Sequence, residues 1–164
     1  MRSPLSLPSF PISLPPQAAF GLLSKQELRA LADRLLVQDV LAVDRCIAFV
    51  LADTRGLWHG RARAMVCRRL KHCPLGRSQR TQLLSSILLR LQTGAFAEQF
   101  KDQLRLARHL DRQRTLDRQR TLAAAERALT SSRPYVQRYA QWTVAVCQSP
   151  APSIAVSVPR ASPT

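Results

Sequence analysis

Apolar residues in the middle of the chain recur every three or four positions, a spacing typical of amphipathic α-helices. The pattern is clearest where one face would carry Leu83, Leu84, Ile87, Leu88 and Leu91. Residues that favour helix starts and helix ends divide the pattern into seven predicted helices. These helices begin near residues 25, 40, 60, 78, 96, 115 and 134.

Helix-capping residues accompany this pattern. Ser24 followed by Glu27 has the sequence of a capping box, and Asp39 is suited to cap the second predicted helix. Ser78 is the predicted cap of the fourth helix, and Pro134 falls in the first turn of the seventh, where proline is tolerated. The predicted buried face of that last helix consists of Tyr135, Tyr139, Trp142 and Val146.

The spacing of the helices indicates how they are arranged. From the third predicted helix onward, helix starts recur every 18 or 19 residues. A pair of helices therefore takes about 37 residues, within the range of two-helix solenoid repeats. The residue signatures of tetratricopeptide and ankyrin repeats are absent. We predict an all-α fold of about seven short helices in antiparallel hairpins, arranged as a solenoid-like stack or as an irregular bundle.

Proline marks both ends of the chain. Nine of the 11 prolines fall in the first 16 or the last 15 positions, where they oppose helix formation. We expect residues 1–23 to form a disordered tail, 24–147 a single helical domain and 148–164 a second disordered tail. No apolar run is long enough to span a bilayer, and the expected location is cytoplasmic. Because the first tail is rich in serine and lacks acids, an organelle-targeting peptide is the alternative.

A short tandem duplication interrupts the helical pattern. Residues Asp111–Leu116 are repeated without change as Asp117–Leu122. Six residues rotate a helix by about 600°, so the copies cannot share one apolar stripe. We therefore expect the duplication to lie in a solvated connection or at a helix start.

Positive charge is concentrated in one segment of the chain. Lys and Arg total 25 against 10 Asp and Glu, and 22 of the 25 are Arg, which gives a net charge of +15. Residues 57–93 contribute +8 of this charge and contain no acid. Such an unrelieved run favours a polyanionic partner.

Several of these basic residues lie where predicted helices begin. Cations there oppose the helix macrodipole, and a bound anion would remove the conflict. If the third and fourth predicted helices form an antiparallel hairpin, one edge collects Arg68, Arg69, Lys71, Arg77 and Arg80, and the next hairpin adds Arg105, Arg108, Arg112 and Arg114. Arg61 and Arg63 lie in the first turn of the third predicted helix. We predict that nucleic acid binds along this edge and call the predicted contact residues the arginine ridge: Arg61, Arg63, Arg68, Arg69, Lys71, Arg77, Arg80, Arg112 and Arg114.

The function that we expect is non-enzymatic binding of RNA, DNA or a ribonucleoprotein through the arginine ridge. Trp58 is the only aromatic residue in the acid-free segment, which gives little support to base stacking. The alternative is an adapter that holds a helical or acidic protein partner, as stacked helices commonly do. Attachment to an anionic membrane is less favoured, because the arginines are not paired with Trp or Phe on one amphipathic helix.

No catalytic or metal-binding arrangement stands out. His59, Cys67, His72 and Cys73 lie within 15 residues, yet Cys67 and His72 are five apart on one predicted helix and point in different directions. A phosphate-binding glycine loop, a nucleophile elbow and a zinc-protease motif are absent. We therefore expect no catalytic residue, no metal and no cofactor. The four cysteines are expected to be reduced thiols packed among helices: Cys46, Cys67, Cys73 and Cys147.

Overall fold

The computed structural model describes residues 16–96, 99–112 and 115–149, and the predicted tails over 1–15 and 150–164 lie outside these ranges. Within the described ranges the chain forms eight α-helices and a short 3₁₀ helix, without a β-strand. The all-α prediction is therefore confirmed. The α-helices are α1 Pro16–Gly21, α2 Lys25–Asp33, α3 Val40–Ala52, α4 His59–Leu70, α5 Arg77–Thr93, α6 Phe100–Asp111, α7 Thr115–Leu129 and α8 Pro134–Gln148, and the 3₁₀ helix is Arg34–Val37.

Helix α1 lies inside the segment 1–23, which the sequence predicted to be disordered. That prediction does not hold for Pro16–Gly21, which is helical. Pro16 is compatible with this helix because it is the first residue, a position that proline tolerates. Phe20 is only 5% exposed. Its ring meets that of Phe49 on α3 edge to face, with centroids 5.5 Å apart. The packed part of the molecule thus begins before residue 24.

The predicted caps of the first two sequence-predicted helices are confirmed. The backbone N–H of Ser24 donates to Glu27 Oε2 at 2.7 Å, and that of Glu27 donates to Ser24 Oγ at 3.3 Å, which is a complete capping box at α2. Asp39 caps α3, since its Oδ1 accepts from the backbone N–H of Ala42 at 3.1 Å. Each cap satisfies a backbone donor that the first helical turn leaves without a partner.

The predicted cap of α5 is wrong by two residues. Helix α5 begins at Arg77, so Ser78 lies inside the first turn and Gly76 is the N-cap. The N–H of Gly76 donates to Gln79 Oε1 at 2.7 Å. Gln79 thereby supplies the side-chain half of a capping box, although glycine has no side chain to complete it.

The helices form two layers in alternation along the chain. In one layer α1, α3, α5 and α7 pack each against the next, and in the other α2, α4, α6 and α8 do the same. The layers meet where α2 contacts α3, α3 contacts α4, α5 contacts α6, α6 contacts α7, and α7 contacts α8. Apart from a contact of α5 with α8, the described α-helices touch only those one or two places away in the chain. This succession is that of a solenoid-like stack.

One continuous hydrophobic core lies between the layers. The predicted face of α5 is confirmed, since Leu83, Leu84, Ile87, Leu88 and Leu91 are all buried. Full burial of such a side chain contributes about 1.5–3 kcal/mol relative to exposure. The apolar face of α5 thus belongs to a helix that packs against α3, α6, α7 and α8.

The buried face of α8 differs from the predicted one. Tyr135 is 42% exposed, and the side chains of Tyr139, Trp142 and Val146 are half-buried. The prediction was wrong by one residue, about 100° of helix rotation. The aromatic rings instead cover the connection between α5 and α6, where the Tyr135 hydroxyl donates to the carbonyl of Gly94 at 3.1 Å. The buried face consists of Val136, Ala140, Thr143 and Cys147.

Gly94 ends α5 in the left-handed conformation, with φ of 67°. A Cβ atom at this position would lie 2.8 Å from Val136 Cγ2, closer than two carbon atoms approach. Both the backbone conformation and the close approach of α8 therefore require glycine.

The two copies of the duplicated hexapeptide occupy different environments. The first spans the end of α6 and the start of α7, and the second lies within α7. The predicted solvated position is wrong for Asp111 and Thr121, since both residues are buried. Asp111 of the first copy is 3% exposed, whereas Asp117 of the second is half-buried. Leu116 is 72% exposed, whereas Leu122 is half-buried. The duplication therefore repeats the sequence without repeating the packing.

Candidate anion-binding surface

Helices α4 and α5, which carry most of the arginine ridge, do not form the predicted hairpin. No Cα atoms of the two helices come within 8 Å of each other. Helix α4 packs against α2 and α6, whereas α5 packs against α3 and α7, because the two belong to different layers. The ridge is therefore not one continuous edge, and its residues differ in their surroundings.

Arg63 is buried, so its prediction as a nucleic-acid contact is wrong. Only 4% of the residue is exposed. Its Nη2 donates to the carbonyl of Thr54 at 2.7 Å, and its Nη1 lies 3.6 Å from Asp53 Oδ1. Burial lowers the pKa of Arg63, and the Asp53 carboxylate opposes this change. An arginine nonetheless stays charged at neutral pH, so Arg63 is a buried structural cation.

Arg90 on α5 approaches the same carboxylate. It is 6% exposed, and its Nε lies 3.7 Å from Asp53 Oδ1. Its Nη2 donates to the carbonyl of Val50 at 2.6 Å, and its Nη1 donates to Gln103 Oε1 at 2.8 Å. Arg63 and Arg90 together thus satisfy carbonyls at the C-terminus of α3, where positive charge complements the macrodipole.

Two residues of the ridge form ion pairs with acids from other helices. Arg69 Nη1 lies 2.6 Å from Asp33 Oδ1 of α2. Arg68 Nη1 lies 3.7 Å from Asp102 Oδ2 of α6, and 57% of the Arg68 side chain is exposed. Carboxylates of α2 and α6 therefore offset part of the positive charge of the acid-free segment, while the side chain of Arg68 stays exposed to solvent.

Arg61 lies at the far end of α4 from the remaining ridge residues. It is exposed, and its guanidinium carbon is 5.2 Å from the centre of the Trp58 ring. Lys25 Nζ lies 4.0 Å from the same ring. Both are cation–π distances. Arg61 and Lys71 are separated by ten residues, about 15 Å along a helix, so the structure does not bring them together.

A third group gathers at one corner of the stack, which we call the basic corner: Lys71, His72, Arg80, His109 and Arg112. Arg80 and His109 line a small cavity whose apolar walls include Leu70 and Leu110. Arg80 is held there by its Nε, which donates to the carbonyl of Leu75 at 3.0 Å. The basic corner thus unites the end of α4, the start of α5 and the end of α6.

Positive charge at the basic corner acts on the His109 imidazole. Burial lowers the pKa of His109, and the charges of Lys71, His72, Arg112 and Arg80 lower it further. Since an ordinary histidine titrates near pH 6.5, the imidazole is mainly neutral at pH 7. An anion bound at the basic corner offsets this repulsion and raises the pKa of His109.

Helix ends contribute to the charge distribution at the basic corner. Arg112 is the C-cap of α6, and its backbone N–H donates to the carbonyl of Arg108 at 3.3 Å. The sequence places Arg112 just before the sixth predicted helix, where a cation opposes the dipole, whereas in the structure Arg112 ends α6, where a cation is favourable. Arg77 is the exposed first residue of α5, whose first turn has no acid, as predicted. Arg114 lies outside the described residues.

The two histidines of the basic corner were missed as site residues. The sequence does offer a signal, since His72 follows Lys71 directly and His109 follows Arg108. Their convergence could not be found, because His72 and His109 are 37 positions apart and come together only where α4 packs against α6. The contact between these helices brings the two segments to one place.

The remaining candidate residues have structural surroundings. His59 is 5% exposed, and its Nδ1 lies 2.8 Å from Thr54 Oγ1. Burial raises the pKa of the Cys46 and Cys67 thiols to about 12. Among the described residues, no three His, Cys, Asp or Glu side chains come together as a metal site requires. All four cysteines are free thiols and are buried, as predicted.

Within the described part of the chain, every helix is too short or too polar to cross a bilayer. Comparison of the sequence with family models and curated proteins, and of the structure with solved structures, finds no match.

Proposed function

We propose that the protein binds the phosphate backbone of nucleic acid through the basic corner and acts without catalysis of its own. The observation that carries the proposal is the cavity that Arg80 of α5 and His109 of α6 line together. Lys71, His72 and Arg112 lie near enough for their charges to lower the pKa of His109. Among the described residues, no acid forms an ion pair with Lys71 or Arg112. Mutual repulsion of this kind is relieved when a polyanion binds.

Exposed arginines extend the basic corner toward solvent. Arg112 and Arg77 are exposed, and the Arg68 side chain is 57% exposed on the last turn of α4. A guanidinium donates two parallel hydrogen bonds to a phosphate, which suits it to a chain of phosphates more than to an isolated ion. Arg77 lies three residues before Arg80, and Arg68 lies three residues before Lys71, so these two side chains supply further contacts next to the basic corner.

The surroundings favour contact with the backbone over recognition of bases. Base stacking needs aromatic rings beside the cations. The nearest candidate in the acid-free segment is Trp58, which precedes the first turn of α4 and is already flanked by Lys25 and Arg61. We therefore expect little sequence preference and a strong dependence of the affinity on salt.

A salt titration tests the proposal. Affinity for a duplex RNA and for a duplex DNA of the same sequence is measured against salt concentration in the unaltered chain and in Lys71→Gln/Arg112→Gln. Each lost phosphate contact reduces the slope of log K against log salt by about 0.9 on DNA. The double variant is therefore expected to lose a slope of about 1.8.

The matched control is Arg45→Gln/Arg138→Gln, which removes two exposed cations from α3 and α8. It keeps the net charge equal to that of the test variant, and we expect it to leave the slope nearly unchanged. An equal loss of slope in both variants would show that binding depends on total charge and not on the basic corner. A difference between RNA and DNA identifies the preferred nucleic acid.

A further inference from the structure

A groove separate from the basic corner lies on the surface between α5 and α7. Its volume is about 440 Å³. Its lining consists of Ser85, Leu88, Leu89, Gln92, Arg120, Ala123 and Arg127, which include no acid.

The floor of the groove is apolar. Leu89 is 60% exposed although it lies on a helix with an otherwise well-buried apolar face. Leu88 and Ala123 stand beside it in the lining. Apolar floors of this kind do not suit a phosphate backbone, whereas the apolar stripe of a helix covers them well.

One wall of the groove is cationic. Arg120 and Arg127 are seven residues apart on α7, about 10 Å along one side of a helix. Arg120 is positioned by Ser85 Oγ, 3.1 Å from its Nη2, and by Asp117 Oδ1, 3.7 Å from its Nη1. Arg127 is exposed and forms no ion pair within the described ranges.

We propose that this groove binds an amphipathic helix of a partner protein that carries acidic residues along one side of its apolar stripe. The apolar stripe covers Leu89, and carboxylates seven residues apart pair with Arg120 and Arg127, since that interval returns to the same side of a helix. The proposal is independent of nucleic-acid binding, because the groove and the basic corner share no residue.

Charge argues against the other occupants of the groove. The terminal segments 1–15 and 150–164 contain no acidic residue and therefore cannot supply the carboxylates. A second copy of the chain brings a further net charge of +15 to a cationic wall, and like charges oppose association. A helix of another protein can cover the apolar floor with its apolar stripe and pair its carboxylates with the two arginines of the wall.

The experiment uses the full chain and two synthetic probes. Both are helical peptides of about four turns with leucine in the apolar stripe. One carries glutamate at two positions seven residues apart, and the other carries glutamine there. Affinity is measured by fluorescence anisotropy for the unaltered chain, for Leu89→Ala and for Arg127→Gln. The matched controls are Leu41→Ala, which changes another exposed leucine on α3, and Arg138→Gln on α8.

We expect the glutamate peptide to bind more tightly than the glutamine peptide. Leu89→Ala should weaken both peptides about tenfold, because it removes the apolar contact. Arg127→Gln should weaken the glutamate peptide about threefold and leave the glutamine peptide unchanged. Leu41→Ala and Arg138→Gln should bind as the unaltered chain does, and helical circular dichroism should be the same in all variants.

Three results would overturn the proposal. The first is equal affinity for the two peptides, or affinity for the glutamate peptide that Leu89→Ala does not change. The second is a concentration-dependent dimer in sedimentation that Leu89→Ala abolishes, which assigns the groove to a second copy. The third is duplex RNA binding that is lost in Arg127→Gln and kept in Lys71→Gln/Arg112→Gln, which assigns it to nucleic acid.

Discussion

The end of α3 and the basic corner both hold several cationic side chains, yet these side chains have opposite surroundings. At the end of α3, the buried side chains of Arg63 and Arg90 meet Asp53 and a set of backbone carbonyls. At the basic corner, Lys71 and Arg112 have no carboxylate partner among the described residues. The role of an arginine in this protein therefore depends on which hydrogen-bond acceptors and carboxylates the other helices place beside it.

The most severe test of this contrast is Arg90→Met. The change removes the donors to Val50 and Gln103 and leaves buried acceptors without partners. Breaking a buried network of this kind costs about 3 kcal/mol in the free energy of unfolding. Urea unfolding measures the loss, and Arg112→Met at the basic corner should change it by less than about 0.5 kcal/mol. Similar losses in the two variants would erase the distinction.

The substitution Asp53→Asn probes the buried pair from the carboxylate side. Asp53 has φ of 47°, a left-handed conformation that asparagine also accepts, so the change removes charge with little effect on the backbone. Two buried guanidiniums then lack their shared anion, which should cost about 1–2 kcal/mol in unfolding free energy. Nucleic-acid affinity should stay the same. A variant as stable as the unaltered chain would show that the carbonyls alone neutralise the two arginines.

The pH dependence of binding examines the basic corner. Because burial and neighbouring cations lower the pKa of His109 in the free protein, and a bound phosphate raises it, binding takes up a proton. Affinity for duplex RNA should therefore rise several-fold as the pH falls from about 7.5 to about 5.5. His109→Gln should flatten this profile. An affinity that weakens on acidification contradicts the assigned sign.

The smallest expected effect concerns the ion-paired arginines, Arg68 and Arg69. Partly exposed ion pairs contribute about 0.2–1 kcal/mol, so Arg69→Gln should shift the unfolding free energy only within that range. Arg68→Gln should weaken duplex binding less than Arg112→Gln does, because Asp102 already offsets the charge of Arg68. Unfolding curves and binding isotherms of these variants are measured beside those of Arg90→Met and Arg112→Met. We expect their effects on stability and on binding to lie between the effects of those two variants.

Local sequence patterns predicted the helices well and the charged surface only in part. The face of α5 and the caps Ser24 and Asp39 depend on residues close in the chain, and the structure confirms them. The face of α8 was wrong, because Tyr135 covers a connection that belongs to other helices. A tyrosine can pack its ring against apolar atoms while its hydroxyl bonds to a polar group at the surface. A prediction from apolar periodicity alone therefore assigns such a residue to the buried face.

The candidate site could be predicted only as a set of residues, because its geometry depends on contacts between distant segments. Arg63 has no acid within its own segment, and the structure supplies Asp53 from across the connection before α4. Lys71 and Arg112 belong to one corner only because α4 packs against α6. The predicted hairpin would have collected the basic residues along one edge shared by α4 and α5, and these helices are not in contact.

The most direct test of the basic corner follows the three histidines of the chain by NMR during titration with duplex RNA. His72 and His109 belong to the basic corner, whereas His59 is buried against Phe49 and Thr54 and serves as an internal control. We expect the ring signals of His72 and His109 to shift on binding, in the direction of protonation for His109, and those of His59 to stay in place. Saturable RNA binding that leaves the signals of His72 and His109 unshifted would show that the basic corner is not the binding surface.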